Sequence, residues 1–391
     1  PNKLVGSPPP QGLRFLKNMT NIALIGCTGS IGRQAADVVR RYPDRFRFTA
    51  LACASRAEEL SALCREFSPR LAYCEAPFIP PAGVKTVGDR AELFEGCDVA
   101  LIAAGGFAGL AYTLAAIAAG KRVALANKES LVCGGELVMR AAKERGVEIV
   151  PVDSEHSAIF QCLAYRRDAA FEKLVLTASG GPFLHKSKEE LAHVTAKDAL
   201  RHPTWNMGAK ITVDSATLLN KGYEIIEAKW LYGAPFEKIE AVVHPESIVH
   251  SLVYFADGAA LAQLGYPDMR VPIQLALTYP ERLPCAPALD LAGVGKLTFL
   301  PFPADKFPCF SLALEAGRAG GTMPTVLNGA GEVAVRAFLE GRITFPAIAD
   351  TIQDALCSFA REDVCSYAQL AQTDARARAH AHAFIYGSSV S

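Results

Sequence analysis

The sequence has no excess of charge of either sign. Forty lysine and arginine residues balance forty aspartate and glutamate residues among 391 positions. Because a nucleic-acid-binding protein usually concentrates basic residues on one surface, this balance argues against a nucleic-acid partner. It remains compatible with a local basic pocket for one small anion.

The sequence also lacks the cysteine spacing of a zinc ribbon. Its eleven cysteines are scattered, their number is odd, and none forms a C-x-x-C pair. We therefore expect neither a structural zinc site nor a disulfide framework, but reduced thiols in the cytoplasm.

A long uncharged run is present, but its composition is wrong for a membrane span. Residues 99–120 contain no charged side chain, yet they are rich in alanine and are interrupted by Gly105, Gly106 and Gly109. We expect a strand, a turn and a buried helix there rather than a membrane helix.

The order of sequence patterns predicts three regions after a leader. Residues 1–18 include three consecutive prolines, and we interpret them as a disordered leader or cloning remnant. Residues 19–152 alternate short apolar strands with helical patterns, which predicts an α/β fold with a Rossmann-like, doubly wound parallel sheet. Residues 153–284 predict an α+β catalytic domain with a hairpin, in which loops dominate 180–210. A proline-rich linker at 285–306 precedes a predicted helical bundle at 307–391.

A glycine-rich turn joins the first predicted strand to the first predicted helix. Residues 26–32 read GCTGSIG. Glycines let the backbone approach a pyrophosphate, and a helix N-terminus offers free N–H groups to it. The spacing is G-x-x-G-x-x-G rather than G-x-G-x-x-G, so a tight turn without a ligand is the alternative. The strand–turn–helix context favours a dinucleotide.

The end of the second predicted strand favours NADP over NAD. An NAD site usually carries an acidic residue there to bind the ribose hydroxyl. Residues 48–54 contain none, and Ser55 and Arg56 follow. A hydroxyl and a guanidinium suit a 2′-phosphate, although a solvated arginine at a helix start is the alternative.

Two carboxylates follow the last strand of the predicted sheet. Asp153 and Glu155 are two positions apart, so an extended backbone would point both to one side. Glu224 could supply a third oxygen ligand, and oxygen-only ligation favours Mg²⁺ or Mn²⁺. A solvated acidic turn is the alternative, but ligands bind at the carboxyl ends of parallel strands.

Short polar side chains in loops predict a phosphate pocket. They are Ser179, Ser215, Asn220 and Lys221. Hydroxyls, backbone N–H groups and a lysine are the donors that a phosphate monoester needs. The nearby loop RHPTWNMG, residues 201–208, places a tryptophan among polar residues, proline and glycine. This composition suggests a loop that closes over a ligand, with a local packing anchor as the alternative.

Together these motifs resemble the 1-deoxy-D-xylulose 5-phosphate reductoisomerase family. The matching stretches keep the family's order along the chain from Met19. They are GCTGSIG (26–32), LANKESLV (125–132), PVDSEH (151–156), SGGPF (179–183), RHPTWNMG (201–208), DSATLLNKGYE (214–224), HPESIVHS (244–251) and QLGYPDMRVPI (263–273).

The resemblance implies an NADPH- and divalent-metal-dependent oxidoreductase of isoprenoid precursor biosynthesis. Such an enzyme converts 1-deoxy-D-xylulose 5-phosphate to 2-C-methyl-D-erythritol 4-phosphate, by retro-aldol and aldol steps followed by hydride transfer. The resemblance further implies Mg²⁺ or Mn²⁺ as the metal and a homodimer as the assembly. It implies neither nucleic acid nor a membrane as a partner.

The resemblance also implies roles for individual residues. The expected metal ligands are Asp153, Glu155 and Glu224. The expected catalytic and substrate-binding residues are Lys128, Ser154, Ser179, His202, Trp205, Ser215, Asn220 and Lys221. The expected cofactor contacts are Thr28, Gly29, Ser30, Ile31, Ser55, Arg56, Asn127, Glu129, Met207, Gly208 and Met269. His156 and His250 match active-site positions without an assigned role.

Three stretches depart from the family's pattern. Residues 54–56 read ASR where Gly-Lys/Ser-Asn is common, residues 328–332 read NGAGE where NAANE is common, and Glu246 replaces a more common glutamine.

Two other functions therefore stay open at this point. One is a different NADP-dependent oxidoreductase of sugar phosphates or amino-acid semialdehydes, and the other is a non-catalytic dinucleotide sensor.

Overall fold

The structure is a computed structural model that describes residues 19–164, 170–205 and 207–387. The leader predicted at residues 1–18 lies outside the described residues. Within these ranges no helix is both long and apolar enough to cross a membrane. The uncharged run at 99–120 forms a strand, Val99–Ile102, and a helix, Ala108–Ala118, as expected.

Seven parallel strands form the first sheet, in the order β4-β3-β2-β1-β5-β6-β7. Its elements in chain order are β1 (Thr20–Ile25), α1 (Ser30–Arg41), β2 (Phe46–Cys53), α2 (Ala57–Phe67), β3 (Leu71–Cys74), β4 (Lys85–Thr86), β5 (Val99–Ile102), α3 (Ala108–Ala118), β6 (Arg122–Leu125), α4 (Glu129–Arg145) and β7 (Ile149–Pro151). The strand order reverses between β1 and β5, and ligands bind at the carboxyl ends of the strands at such a switch point. The predicted doubly wound sheet is confirmed.

The strand β5 is apolar throughout and β1 is apolar from Ile22 onwards, as expected for strands with both faces covered by helices. In β1 the residues from Ile22 to Ile25 are almost completely buried, and β5 is buried throughout. Alternate side chains of β1 enter two separate hydrophobic clusters, one on each side of the sheet. The sheet is therefore a rigid support for the loops at its carboxyl edge.

The second sheet has four strands in the order β11-β10-β8-β9. The elements of this region are α5 (Ser154–Leu163), β8 (Phe171–Ala178), α6 (Lys188–Leu191), α7 (Ala196–Ala199), α8 (Ala209–Ala216), α9 (Leu219–Tyr232), β9 (Ile239–Val243), β10 (Val249–Phe255), β11 (Ala260–Leu264) and α10 (Arg270–Thr278). The hairpin predicted around Asp257 and Gly258 is present between β10 and β11.

Two features of this region differ from the sequence prediction. The strand β9 was not predicted, and it pairs in parallel with β8 while the other pairs are antiparallel. The segment 180–210 contains the short helices α6 and α7, whose capping boxes start at Ser187 and Thr195. Capping boxes of this kind stabilise a single helical turn that hydrophobic periodicity does not reveal.

The short helix α11 (Leu291–Val294) lies in the predicted linker. The chain ends in packed helices, which are α12 (Pro308–Ala319), α13 (Met323–Leu339), α14 (Phe345–Ser358) and α15 (Tyr367–Tyr386). The helix α13 packs against α12, α14 and α15 and also against α4 of the first region. Within the predicted linker, Leu300 forms a bridge to Val243 at the end of β9. The division of the chain into domains stays a prediction.

Candidate active site

The glycine turn sets the amino end of α1 close to the carboxyl edge of the first sheet. Gly26 has φ = +88°, and a Cβ there would lie 2.4 Å from the Ala103 carbonyl oxygen. A Cβ on Gly32 would lie 2.4 Å from the carbonyl oxygen of Gly26. Both positions therefore need glycine, which leaves room for a ligand at the N–H groups that begin α1.

One cavity of about 870 Å³ joins the predicted cofactor, metal and phosphate sites. The predicted residues that line it are Ser30, Ile31, Arg56, Lys128, Asp153, Ser154, Glu155, Ser179, His202, Trp205, Met207, Gly208, Ser215, Asn220, Lys221, Glu224, His250 and Met269. The predicted cofactor contacts that do not line it are Thr28, Gly29, Ser55, Asn127 and Glu129. The roles of both groups of residues stay predictions.

The three predicted carboxylates lie together at the centre of this cavity. Oxygens of Asp153, Glu155 and Glu224 all lie within 4.8 Å of one another. Strand alternation is not the reason, because β7 ends at Pro151, so that part of the prediction was wrong. Asp153 is the N-cap of α5, Glu155 lies in its first turn, and Glu224 projects from α9.

Two buried lysines stand among these carboxylates. Lys128 Nζ lies 2.7 Å from Asp153 Oδ2 and 2.9 Å from Glu224 Oε1. Lys221 Nζ lies 2.9 Å from Glu155 Oε1 and also contacts Glu224. Burial by itself would lower the pKa of Lys128, but Asp153 and Glu224 raise it well above its ordinary value. Three carboxylates and two ammonium groups leave one net negative charge, and this all-oxygen donor set fits a hard divalent cation.

A fourth buried carboxylate, which the sequence prediction missed, lies behind the cluster. His156 Nδ1 is 3.0 Å from Asp153 Oδ1 and 3.5 Å from Glu227 Oε2. Burial would lower the pKa of His156, but Glu227 and Asp153 raise it to about 9. The available signal was helical spacing, since Glu227 follows Glu224 by three positions on α9. His156 thus holds Asp153 from the side away from the cavity.

His202 organises the predicted phosphate pocket. Its Nε2 lies 3.2 Å from both Ser179 Oγ and Ser215 Oγ. Its Nδ1 accepts backbone N–H groups of Thr204 and Trp205, at 3.3 and 2.9 Å. Because burial lowers the pKa of His202 to about 4, the ring is neutral near pH 7 and carries its hydrogen on Nε2, among the hydroxyls. These groups can donate to a phosphate.

The start of α9 connects this pocket with the carboxylates. Lys221 Nζ donates to the Thr177 carbonyl oxygen at 2.6 Å, and Asn220 Nδ2 donates to Glu224 Oε1 at 2.5 Å. Asn220 and Lys221 therefore border both the phosphate pocket and the cluster. A ligand with a phosphate at one end can be held by both sites at once.

The predicted closing loop borders the same cavity. The half-buried Trp205 has its ring centroid 6.2 Å from that of His250, and both side chains line the cavity. The loop also contacts the end of the phosphate pocket, because Thr204 Oγ1 lies 3.4 Å from Ser247 Oγ. Asn206 of this loop lies outside the described residues. The aromatic side chain is placed to exclude water from a ligand.

Comparison with known families agrees with this geometry. Residues 22–77 and 82–135 match 1-deoxy-D-xylulose 5-phosphate reductoisomerase, and residues 149–232 match the C-terminal domain of that enzyme. Residues 264–380 match the DXP reductoisomerase C-terminal domain. The chain belongs to the 1-deoxy-D-xylulose 5-phosphate reductoisomerase family. The resemblance inferred from the motifs is confirmed.

Relatives that carry the name 1-deoxy-D-xylulose 5-phosphate reductoisomerase match along almost the whole chain. The protein of Geobacillus kaustophilus is 50% identical over 382 residues, which cover 94% of this chain and 100% of that protein. The protein of Ralstonia nicotianae is 46% identical over 389 residues, covering 95% of this chain and 99% of that protein. The family assignment therefore covers the cofactor, metal and C-terminal regions together.

Solved structures of this family have the same fold. A reductoisomerase in complex with NADPH, fosmidomycin and magnesium is 40% identical, with a TM-score of 0.87 over 94% of this chain and 98% of that one. The Zymomonas mobilis enzyme in complex with NADPH is 38% identical, with a TM-score of 0.86 over 94% and 100% of the two chains. These matches confirm the predicted fold class.

Proposed function

We propose that this protein is the NADPH-dependent reductoisomerase that converts 1-deoxy-D-xylulose 5-phosphate to 2-C-methyl-D-erythritol 4-phosphate. The observation that carries the proposal is the single cavity, which runs from the glycine turn through the carboxylate cluster to the phosphate pocket. A dinucleotide, a divalent cation and a phosphorylated sugar can meet there. The family and its NADPH- and magnesium-bound solved members support the same activity.

Asp153, Glu155 and Glu224 would hold Mg²⁺ or Mn²⁺, and the glycine turn would hold NADPH. When bound, the metal supplies Lewis-acid polarisation of substrate oxygens, and NADPH supplies hydride. Lys128 sits between Asp153 and Glu224 and holds both carboxylates at its ammonium group. Its ammonium group is a fixed positive charge beside the reacting carbons, where oxyanion character develops during the rearrangement.

The phosphate pocket anchors the substrate away from the reacting bonds. Ser179, Ser215 and His202 Nε2 donate to the phosphate, and Lys221 balances its charge. Binding energy gained at this end orients the carbon skeleton against the cluster. Trp205 closes the cavity over the substrate and excludes water from the rearrangement intermediate.

The assembly and the cellular location are also part of this proposal. The strand β11 is a sheet edge, and Leu261 on it is 49% exposed. Such an unpaired edge is suited to pairing with a second copy, which supports a homodimer. All eleven cysteines are free thiols, which supports a reducing, cytoplasmic environment.

The test of the activity is NADPH oxidation on addition of 1-deoxy-D-xylulose 5-phosphate, with and without EDTA. We expect turnover that EDTA abolishes and that added Mg²⁺ or Mn²⁺ restores. Turnover that is insensitive to EDTA, or that occurs only with another sugar phosphate or a semialdehyde, would favour a different oxidoreductase. NADPH binding without turnover of any of these substrates would favour a dinucleotide sensor.

A further inference from the structure

Two arginines converge on one carboxylate at the cofactor end of the cavity. Arg33 lies in the first turns of α1, and Arg56 is the N-cap of α2. An Arg33 guanidinium nitrogen lies 2.7 Å from Glu59 Oε2, and an Arg56 guanidinium nitrogen lies 3.4 Å from Glu59 Oε1. Both arginines line the cavity. The sequence prediction included Arg56 but not Arg33.

The two arginines outnumber the carboxylate that they both contact. The two guanidinium groups share the single carboxylate of Glu59, which leaves one positive charge. Asp37, which also lines the cavity, contacts Arg40 at 2.7 Å, and Arg40 contacts Glu66 as well. At the Glu59 contact two guanidinium groups face one carboxylate, and the side chains of Arg33 and Arg56 are 59% and 47% exposed.

We propose that Arg33 and Arg56 together form the binding site for the 2′-phosphate of NADPH, with Glu59 holding both guanidinium groups in position. Guanidinium groups bind phosphate through paired, charge-assisted hydrogen bonds. Exposed pairs with a carboxylate are weak, so a phosphate can share or replace the Glu59 contacts at little cost. This inference rests on the proposed use of NADPH and adds Arg33 as a determinant of cofactor specificity.

The same two helices contain a matched pair that does not face the cavity. Arg40 contacts Glu66 through two nitrogens, at 2.5 and 2.8 Å. Arg40 follows Arg33 by seven positions on α1, as Glu66 follows Glu59 on α2, so both pairs join the same helix faces. A purely structural role for Arg33 would make the two pairs equivalent, and Arg40 is therefore the control.

The test is the affinity of the full-length protein for NADPH and for NADH, measured by fluorescence titration without substrate. For Arg33→Ala we expect NADPH binding about tenfold weaker and NADH binding within about twofold of wild type. Arg40→Ala combined with Asp37→Asn, which leaves no unpaired carboxylate of Asp37 at the cavity, should leave the ratio of the two affinities unchanged. Equal melting temperatures of the two variants would exclude a difference in folding.

Glu59→Gln separates two roles of the carboxylate. If Glu59 only positions the arginines, removing its charge should strengthen NADPH binding about threefold, while Glu66→Gln should have no effect. If Glu59 instead binds the ribose hydroxyl of NADH, Glu59→Gln should weaken NADH binding, and the proposal is wrong.

The failure of this inference differs from failure of the proposed function. Wild-type protein that shows no preference for NADPH over NADH would remove the proposed cofactor and this site with it. A wild-type preference that Arg33→Ala leaves intact, or that the Arg40→Ala/Asp37→Asn control reduces equally, would overturn the role of Arg33 alone.

Discussion

Replacing Glu224 with glutamine tests the carboxylate cluster most directly. Glu224 is 1% exposed and contacts Lys128, Lys221 and Asn220. Glutamine keeps the size of the side chain and one oxygen acceptor, so we expect the fold to survive. What changes is the charge, because three carboxylates against two ammonium groups become two against two.

The charge change sets the expected magnitude. A unit charge about 4 Å from another is worth about 4 kcal/mol at an effective dielectric constant of about 20. Part of this interaction energy is offset, because burial disfavours the charged form of Glu224 and raises its pKa. We expect divalent-cation affinity to fall about 100-fold, or about 2.8 kcal/mol. Turnover at fixed Mg²⁺ should fall at least as much.

Three measurements on Glu224→Gln test this prediction. Mn²⁺ binding is followed by electron paramagnetic resonance, NADPH binding by fluorescence, and turnover by NADPH oxidation. We expect loss of the first and third with NADPH affinity unchanged. Glu240→Gln, at an exposed glutamate paired with Lys173, is the control for any general effect of charge. Wild-type Mn²⁺ affinity in Glu224→Gln would refute the assignment of Glu224 as a ligand.

Three further predictions follow from burial and packing. Burial lowers the pKa of His250 to about 4. The stability that the buried, neutral His250 ring contributes is therefore fully present above about pH 6.5, and it is lost as the pH falls toward 4. The wild-type protein should lose unfolding free energy between pH 7 and pH 5, and in His250→Asn this loss should be smaller by about 2 kcal/mol. Urea titrations at the two pH values measure both losses, and equal losses would contradict the buried, neutral ring. Gly32→Ala should lower the melting temperature and weaken NADPH binding, because the new Cβ would lie 2.4 Å from the Gly26 carbonyl oxygen. Gly88→Ala is the control, because a Cβ there meets nothing within 4 Å, and it should change neither property. Trp205→Ala should lower kcat/KM for the sugar phosphate by at least about tenfold, with the metal affinity unchanged. An unchanged kcat/KM would mean that this tryptophan only anchors its loop.

The helices and strands of the first sheet could be predicted because their patterns are local. An apolar strand, a glycine turn and an amphipathic helix each occupy a few neighbouring residues, as in β1, residues 26–32 and α1. The strand β9 could not be predicted in this way. Its residues alternate weakly in burial, and its pairing partner β8 lies more than sixty positions earlier in the chain.

The site was predictable in its residues but not in its geometry. The motifs identified Asp153, Glu155 and Glu224 as one set, yet the proposed cause, an extended backbone, was wrong. A helix begins at Ser154, and Glu224 approaches from a separate helix. Glu227 was missed because its only signal, a spacing of three positions from Glu224, does not distinguish a buried carboxylate on a helix from an exposed one.

The sequence by itself determined the chemical parts of this protein: the glycine turn, the carboxylates, the phosphate-binding donors and the family to which they belong. These follow from residue types and short spacings, which do not depend on distant segments. Only the tertiary structure decided which parts meet. It placed Lys128 between Asp153 and Glu224, and it brought Arg33 to the carboxylate that Arg56 also contacts. Packing of helices far apart in the chain creates these juxtapositions, and local patterns carry no information about them.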